Sequence, residues 1–112
     1  MEAIARVRNL RGSARKARLV LDLIRGKSVP EAQQILNFSK KRVAHNVGKI
    51  LNSAIANATV KEGKADIDNM LISKAFADDG PIMKRHRTRA HGRATVIRRR
   101  TCHITLEIMD KE

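Results

Sequence analysis

Apolar and polar residues along this chain recur at two distinct periods. Ala3, Ala5 and Val7 alternate with Ile4, Arg6 and Arg8, which predicts a short edge strand with basic side chains on one face. Asn9 to Gly12 reads as a turn. The period then lengthens. Ser13 is a good N-cap, and Ala17, Val20, Leu21 and Ile24 fall at i, i+3, i+4 and i+7, predicting a helix to about Arg25 that Gly26 ends. Ser28-Val29-Pro30-Glu31 has the capping-box pattern and opens a short second helix, with Ala32, Ile35 and Leu36 inward. Asn37-Phe38-Ser39 breaks it, with Phe38 expected to plug the core.

Ser39 is expected to cap a third and longest helix, about 40–59, striped by Val43, Val47, Ile50, Leu51, Ala54 and Ala58. Ala54, Ala56 and Ala58 are expected to form a small-residue face for close approach. Val60 to Asn69 reads as a polar loop carrying Glu62, Asp66 and Asp68, and is expected to point away from any nucleic acid. The two-residue period returns at the end. Met70 to Ala77 is an apolar stretch closed by Asp78-Asp79-Gly80-Pro81, and Cys102, Ile104, Leu106 and Ile108 alternate with His103, Thr105 and Glu107. The order is strand, three helices, two strands. This predicts an α+β fold: a three-stranded antiparallel sheet with three helices packed on it.

Between the last two strands lies a stretch that fits neither period. From Pro81 to Arg100 there are eight positions of fixed positive charge (Lys84, Arg85, Arg87, Arg89, Arg93, Arg98, Arg99 and Arg100) and no acidic residue. Such a run repels itself and cannot bury its own backbone. Flanked by two strands, it is most simply their hairpin carried into solvent, with its tip at Ala90-His91-Gly92-Arg93, where Gly92 can take a positive φ. Legs of about ten residues at about 3.3 Å rise make a protruding β-hairpin roughly 30 Å long.

Composition changes the picture by naming the partner. The 112 residues suit one domain, 1–112, with the arm at 80–100, and they carry a net charge of +13. That balance fits nucleic acid, and Arg, which dominates the arm, matches phosphate bidentately. Arg11, Arg15 and Lys16 stand near the first helix N-terminus, where cations oppose the helix dipole unless a phosphate lies among them. Asp22 can pair with both Arg18 and Arg25. With two Phe and no Trp or Tyr, the chain lacks the stacking platforms of single-strand binders. Phosphate contact over a shaped surface remains, and folded RNA offers the crevices such an arm can probe. The lone Cys102 makes no internal disulfide, the first residues lack a long apolar run, and nothing approaches the ~18 apolar residues of a membrane span. A cytoplasmic location is the expectation.

Catalytic chemistry is not evident. Adjacent Cys102 and His103 would point to opposite faces of a strand, which defeats a nucleophile–base pair, and the histidines lack metal-ligand spacing. Neither an enzyme nor a cofactor is expected. A membrane-surface binder would need bulky apolar anchors, and a DNA-architectural arm an apolar wedge at its tip. Neither membrane nor DNA is therefore an expected partner.

Four segments carry a family resemblance: 13–27 (SARKARLVLDLIRGK), 80–85 (GPIMKR), 89–94 (RAHGRA) and 101–105 (TCHIT). In order and spacing they resemble the large ribosomal subunit protein twenty-two family, bacterial type, over nearly the whole chain. The resemblance implies a body near the polypeptide exit of the large subunit and a hairpin along the exit-tunnel wall, contacting several rRNA domains. It also implies that the hairpin helps form the narrow part of the tunnel with another ribosomal protein, and that changes in it affect macrolide response. Expected partners are the large-subunit rRNA (23S type), neighbouring large-subunit proteins and the nascent polypeptide. The expected function is that of a structural constituent aiding subunit assembly; a cytoplasmic and an organellar ribosome are not distinguished. The candidate rRNA contacts on the body are Arg8, Arg11, Ser13, Arg15, Lys16, Arg18 and Arg25. Those on the hairpin are Met83, Lys84, Arg85, Arg87, Arg89, Ala90, His91, Gly92, Arg93, Arg98, Arg99 and Arg100. Two positions depart from the family, which usually has Pro in place of Ala14 and Ser in place of Cys102.

Overall fold

A computed structural model describes residues 2–62, 67–88 and 90–110. Strand β1 (Glu2–Arg11) is followed by helices α1 (Ala14–Ile24), α2 (Val29–Phe38) and α3 (Arg42–Glu62). Strands β2 (Met70–Asp79), β3 (Met83–Thr88), β4 (Ala94–Arg99) and β5 (Thr101–Asp110) complete the order. The fold is α+β. β1, β5 and β2 form a three-stranded antiparallel sheet with β5 at the centre, while β3 and β4 form a separate two-stranded sheet.

The central position of β5 explains its burial. Cys102, Ile104, Leu106 and Ile108 are fully buried, and Thr105 and Glu107 on the alternate positions are buried as well. Glu107 accepts a hydrogen bond at Oε1 from the Ser73 hydroxyl, 3.1 Å away. Ala14, Ala17, Val20, Leu21 and Ile24 of α1 and Ala44, Val47, Leu51, Ala54 and Ala58 of α3 join the same core. The buried residues of β1 are small (Ala3, Ala5), while β2 buries Met70 and Ile72 at one end and Ala75 and Ala77 at the other.

Local differences from the sequence expectation have physical reasons. Asn9 to Gly12 is not a turn. β1 runs on to Arg11 through an irregularity between Val7 and Leu10, where Asn9 takes φ 57° and its N–H donates to His103 Nδ1 at 3.1 Å. Asn tolerates that left-handed conformation better than most residues, so a bulge replaces the turn. Strand β2 passes Ala77, because Asp78 and Asp79 still pair with His103 and Cys102. Ser28 occupies the N-cap of α2 but its side chain makes no cap bond; its backbone carbonyl accepts from Ala32 N–H at 2.9 Å. Ser39 closes α2 instead of capping α3, which starts at Arg42. That helix also absorbs Val60 to Glu62 of the expected loop, whose residues 63–66 lie outside those described.

Phe38 does not plug the core: it is 86% exposed. The buried stripe of α2 is Val29, Ala32 and Leu36. Two residues on from Leu36, Phe38 is turned about 200° around the helix, onto its outer side. The same geometry exposes Ala56, two residues from both Ala54 and Ala58.

Side chains cover both sheet edges. On β2, Arg18 donates through Nε and Nη2 to Ala77 O at 3.1 and 2.9 Å, and Arg25 likewise grips Ala75 O. Asp22 therefore pairs with Arg25 alone of its two expected partners, at 2.6 Å. On β1, Asn57 donates to Ile4 O and Lys61 to Glu2 O. Unpaired edge groups are templates for association, and these contacts occupy four edge carbonyls, Ala75 and Ala77 on β2 and Glu2 and Ile4 on β1.

The molecule measures 63 × 25 × 16 Å, with a radius of gyration of 17.1 Å. A compact chain of this length would have about 13 Å. The difference is the β3–β4 ribbon, which projects from the body.

Candidate nucleic-acid interface

The ribbon begins where the main sheet stops. Gly80 N–H donates to Thr101 O at 2.9 Å, Thr101 Oγ1 donates to Pro81 O at 2.6 Å, and Gly12 N–H donates to Arg100 O at 3.0 Å. These three bonds tie the end of β1, the start of β5 and both legs of the arm into one root. A side chain at Gly80 has no room, since a Cβ would lie 2.5 Å from Thr101 Oγ1.

Beyond the root, the register fixes which side chains share a face. Pairing of Met83 with Arg99, Arg85 with Ile97 and Arg87 with Thr95 puts Arg85, Arg87 and Arg99 on one face. Pairing of Lys84 with Arg98, His86 with Val96 and Thr88 with Ala94 puts Lys84 and Arg98 on the other. Both faces are therefore cationic. Apart from Ile97, every described residue from Pro81 to Arg100 is exposed. Neither face has a core to pack on, and neither carries an acid to neutralise it. An arm of this kind suits a cleft with phosphates on both walls better than a flat surface.

The tip closes over Ala90–Gly92 with two successive left-handed residues, His91 at φ 64° and Gly92 at φ 70°. The glycine was legible in the sequence. The histidine was not, because nothing in its type demands that conformation. Arg93 follows the tip, and Arg89 lies outside the described residues.

On the body, Arg11 pairs with Thr101 and so stands at the arm root, with Arg8 exposed just before it on β1. Ser13 accepts the Lys16 N–H at 3.3 Å, which starts α1 and leaves Arg15 and Lys16 exposed on its first turn. Chain connectivity thus gathers Arg8, Arg11, Arg15, Lys16 and Arg100 around one end of the body. Arg18 and Arg25 do not join them. Their guanidinium groups are committed to β2, farther along the helix. Their seven-residue spacing, which sets both on one side of α1, was the signal available for this.

Cys102 and His103 sit on opposite faces of β5, as alternation requires. Cys102 is buried, and burial, with a smaller contribution from the Asp79 carboxylate, pushes its thiol pKa upward. His103 Nδ1 is occupied as an acceptor by Asn9 N–H.

A family model described as Ribosomal protein L22p/L17e matches residues 5–109. The chain belongs to that family. The match spans body and arm alike, so the ribbon is part of the family's extent. Membership makes the chain a structural constituent of the large ribosomal subunit that binds rRNA, not an enzyme. It places the chain in the cytoplasm, in the ribosome, with large-subunit rRNA and other ribosomal proteins as partners. Among the described residues, no helix is long and apolar enough to cross a membrane.

Proposed function

We propose that the β3–β4 arm inserts between rRNA segments along the wall of the polypeptide exit tunnel, that its tip borders the path of the nascent chain, and that this insertion aids subunit assembly. The observation that carries the reading is the cross-strand register, which spreads Arg85, Arg87 and Arg99 over one face and Lys84 and Arg98 over the other. Anions flanking such a ribbon on both sides relieve its self-repulsion. Arg93, Arg98 to Arg100 and the tip residues Ala90, His91 and Gly92 extend the contact along the arm, and Arg89 belongs to the same set. Arg8, Arg11, Ser13, Arg15 and Lys16 hold the body on rRNA at the arm root. Arg18 and Arg25 contribute through the guanidinium donors that β2 leaves free. The chain acts as one domain, 1–112, with the arm at 80–100.

The test is binding of the full chain to naked large-subunit rRNA and to an equal mass of duplex DNA across a salt series. Phosphate contacts alone lose roughly 0.7–0.9 log units of affinity per log unit of salt for each phosphate neutralised, on either polymer. Saturable, near-equimolar rRNA binding at salt that strips the DNA supports a shaped site. Equal affinity and equal slopes on both would overturn it.

A further inference from the structure

The corner between α2 and α3 carries a second set of nucleic-acid features, remote from the start of β1. Asn57 and Lys61 bind the first residues of β1, so Arg42 lies at the opposite end of α3, about 22 Å away along the helix at 1.5 Å per residue. The end of α2 and the first half of α3 line a half-open concavity of about 710 Å³. That volume is within the roughly 300–1,000 Å³ of small-molecule sites. Asn37, Lys41, Arg42, His45 and Lys49 are among its lining residues, and no acidic residue is.

Beside it stands Phe38, next in the chain to two of the lining residues and 86% exposed. An exposed apolar residue is ordinary on a protein surface. An almost fully exposed aromatic ring, flanked in the chain by residues lining a concavity whose charged residues are all basic, is a specific combination. The ring offers a stacking plane, the cations offer phosphate contacts, and the Asn37 amide can both donate to and accept from a base edge. A duplex hides its base faces, so only an unpaired nucleotide uses all three.

We infer that this corner is a second RNA anchor, which seats an unpaired nucleotide of folded RNA with its base on the Phe38 ring and its phosphates among Lys41, Arg42 and Lys49. The inference rests on the rRNA-binding role described above but not on the placement of the arm. Base–aromatic stacking of this kind is sequence-tolerant, so the site selects strand state rather than sequence.

The test compares the full chain with its variants for binding to large-subunit rRNA transcript. Phe38→Ala should weaken binding about tenfold with an unchanged salt slope, because a stacked ring neutralises no phosphate. Thermal stability should not move, since the ring lies outside the core, and Phe38→Trp should retain full affinity. The Lys41→Gln, Lys49→Gln double variant should instead lower the salt slope by about 1.4–1.8, two phosphates' worth. An Arg87→Ala, Arg93→Ala variant serves as the control on the arm. If the arm variant binds more weakly and Phe38→Ala binds as wild type, the corner is not an anchor while the arm reading stands. If the wild type itself prefers rRNA no more than duplex DNA, both fall. A photoreactive phenylalanine analogue at position 38 in assembled subunits separates RNA from protein contact: a crosslink to a nucleotide supports the anchor, and a crosslink only to a neighbouring protein overturns it.

Discussion

Gly80 and Thr101 are in contact so close that no side chain fits between them: a Cβ on Gly80 would lie 2.5 Å from Thr101 Oγ1. The same hydroxyl donates to Pro81 O at 2.6 Å, and Gly80 N–H donates to Thr101 O. Strand pairing in the main sheet ends here and the arm begins, so this pair sets the direction in which the arm leaves the body. Gly80→Ala should displace the hydroxyl and break its bond, destabilising the fold by about 1–3 kcal/mol, the usual range for overpacking. Thr101→Val should remove the bond without the clash, at about 1 kcal/mol. Chemical denaturation measures both, and hydrogen exchange at Met83 to Thr88 should accelerate in each variant. Unchanged exchange in Gly80→Ala would show that this contact does not set the arm.

Lys84 and Arg98 stand directly opposite each other in the ribbon. Like charges so placed destabilise a strand pair, and opposite charges stabilise it by roughly 0.2–1 kcal/mol. Arg98→Glu should therefore slow hydrogen exchange in the free arm. The same change should weaken rRNA binding and reduce its salt slope, since a phosphate contact is replaced by a repulsion. Stability and binding should move in opposite directions. A variant whose arm is tighter and which binds equally well would remove Arg98 from the interface.

The basic residues of α1 should separate into two groups. Arg18 and Arg25 hold the exposed edge of β2 through Ala77 O and Ala75 O. Arg18→Gln and Arg25→Gln should each destabilise the fold by about 1 kcal/mol, allowing for their partial exposure to solvent. Arg15→Gln and Lys16→Gln, exposed on the first turn, should leave stability within about 0.5 kcal/mol. Their effect should appear in rRNA affinity instead. Denaturation midpoints and binding curves on the same four variants check this, and equal destabilisation by all four would deny the division.

Long periodic segments were the legible part of this sequence. The stripe Ala17, Val20, Leu21, Ile24 and the alternation Cys102 to Ile108 each determine one element, because a shift by one residue would turn the apolar set away from the face that packs against the helices and sheet. The arm was legible for the opposite reason: a run of cations has nothing to bury. What escaped were choices made by tertiary contact. Ser28 has the sequence of a capping box, yet the backbone alone serves the helix start. Phe38 looks like core by type, but its angular position on α2 is decided two residues earlier by Leu36. Asn9 reads as a turn until the pairing of Leu10 with Cys102 and Arg11 with Thr101 carries β1 past it. In the site, the charge of Arg18 was plain, but its commitment to a carbonyl of β2 depends on a strand 59 positions away.

Cys102 should give the fold an alkaline limit. Its thiol is buried on β5, and burial first, then the Asp79 carboxylate, raise its pKa above that of an ordinary thiol. In the unfolded chain the thiol ionises near its usual value of about 8.5. Below that pH both states hold the proton, and the stabilising contribution is fully present. Above it the unfolded chain releases its proton while the folded chain retains it, so stability falls as pH rises towards the folded pKa. The slope can reach about 1.4 kcal/mol per pH unit for one group. With no Tyr in the sequence and Lys titrating near 10.4, the interval between about pH 8.5 and 10 isolates the thiol. Urea unfolding across that interval should show declining stability in the wild type and a flatter profile in Cys102→Ser, whose side chain does not titrate there. Asp79→Asn should fall between them, because it removes the smaller cause and leaves burial intact. Parallel profiles for the wild type and Cys102→Ser would assign the alkaline loss to another group.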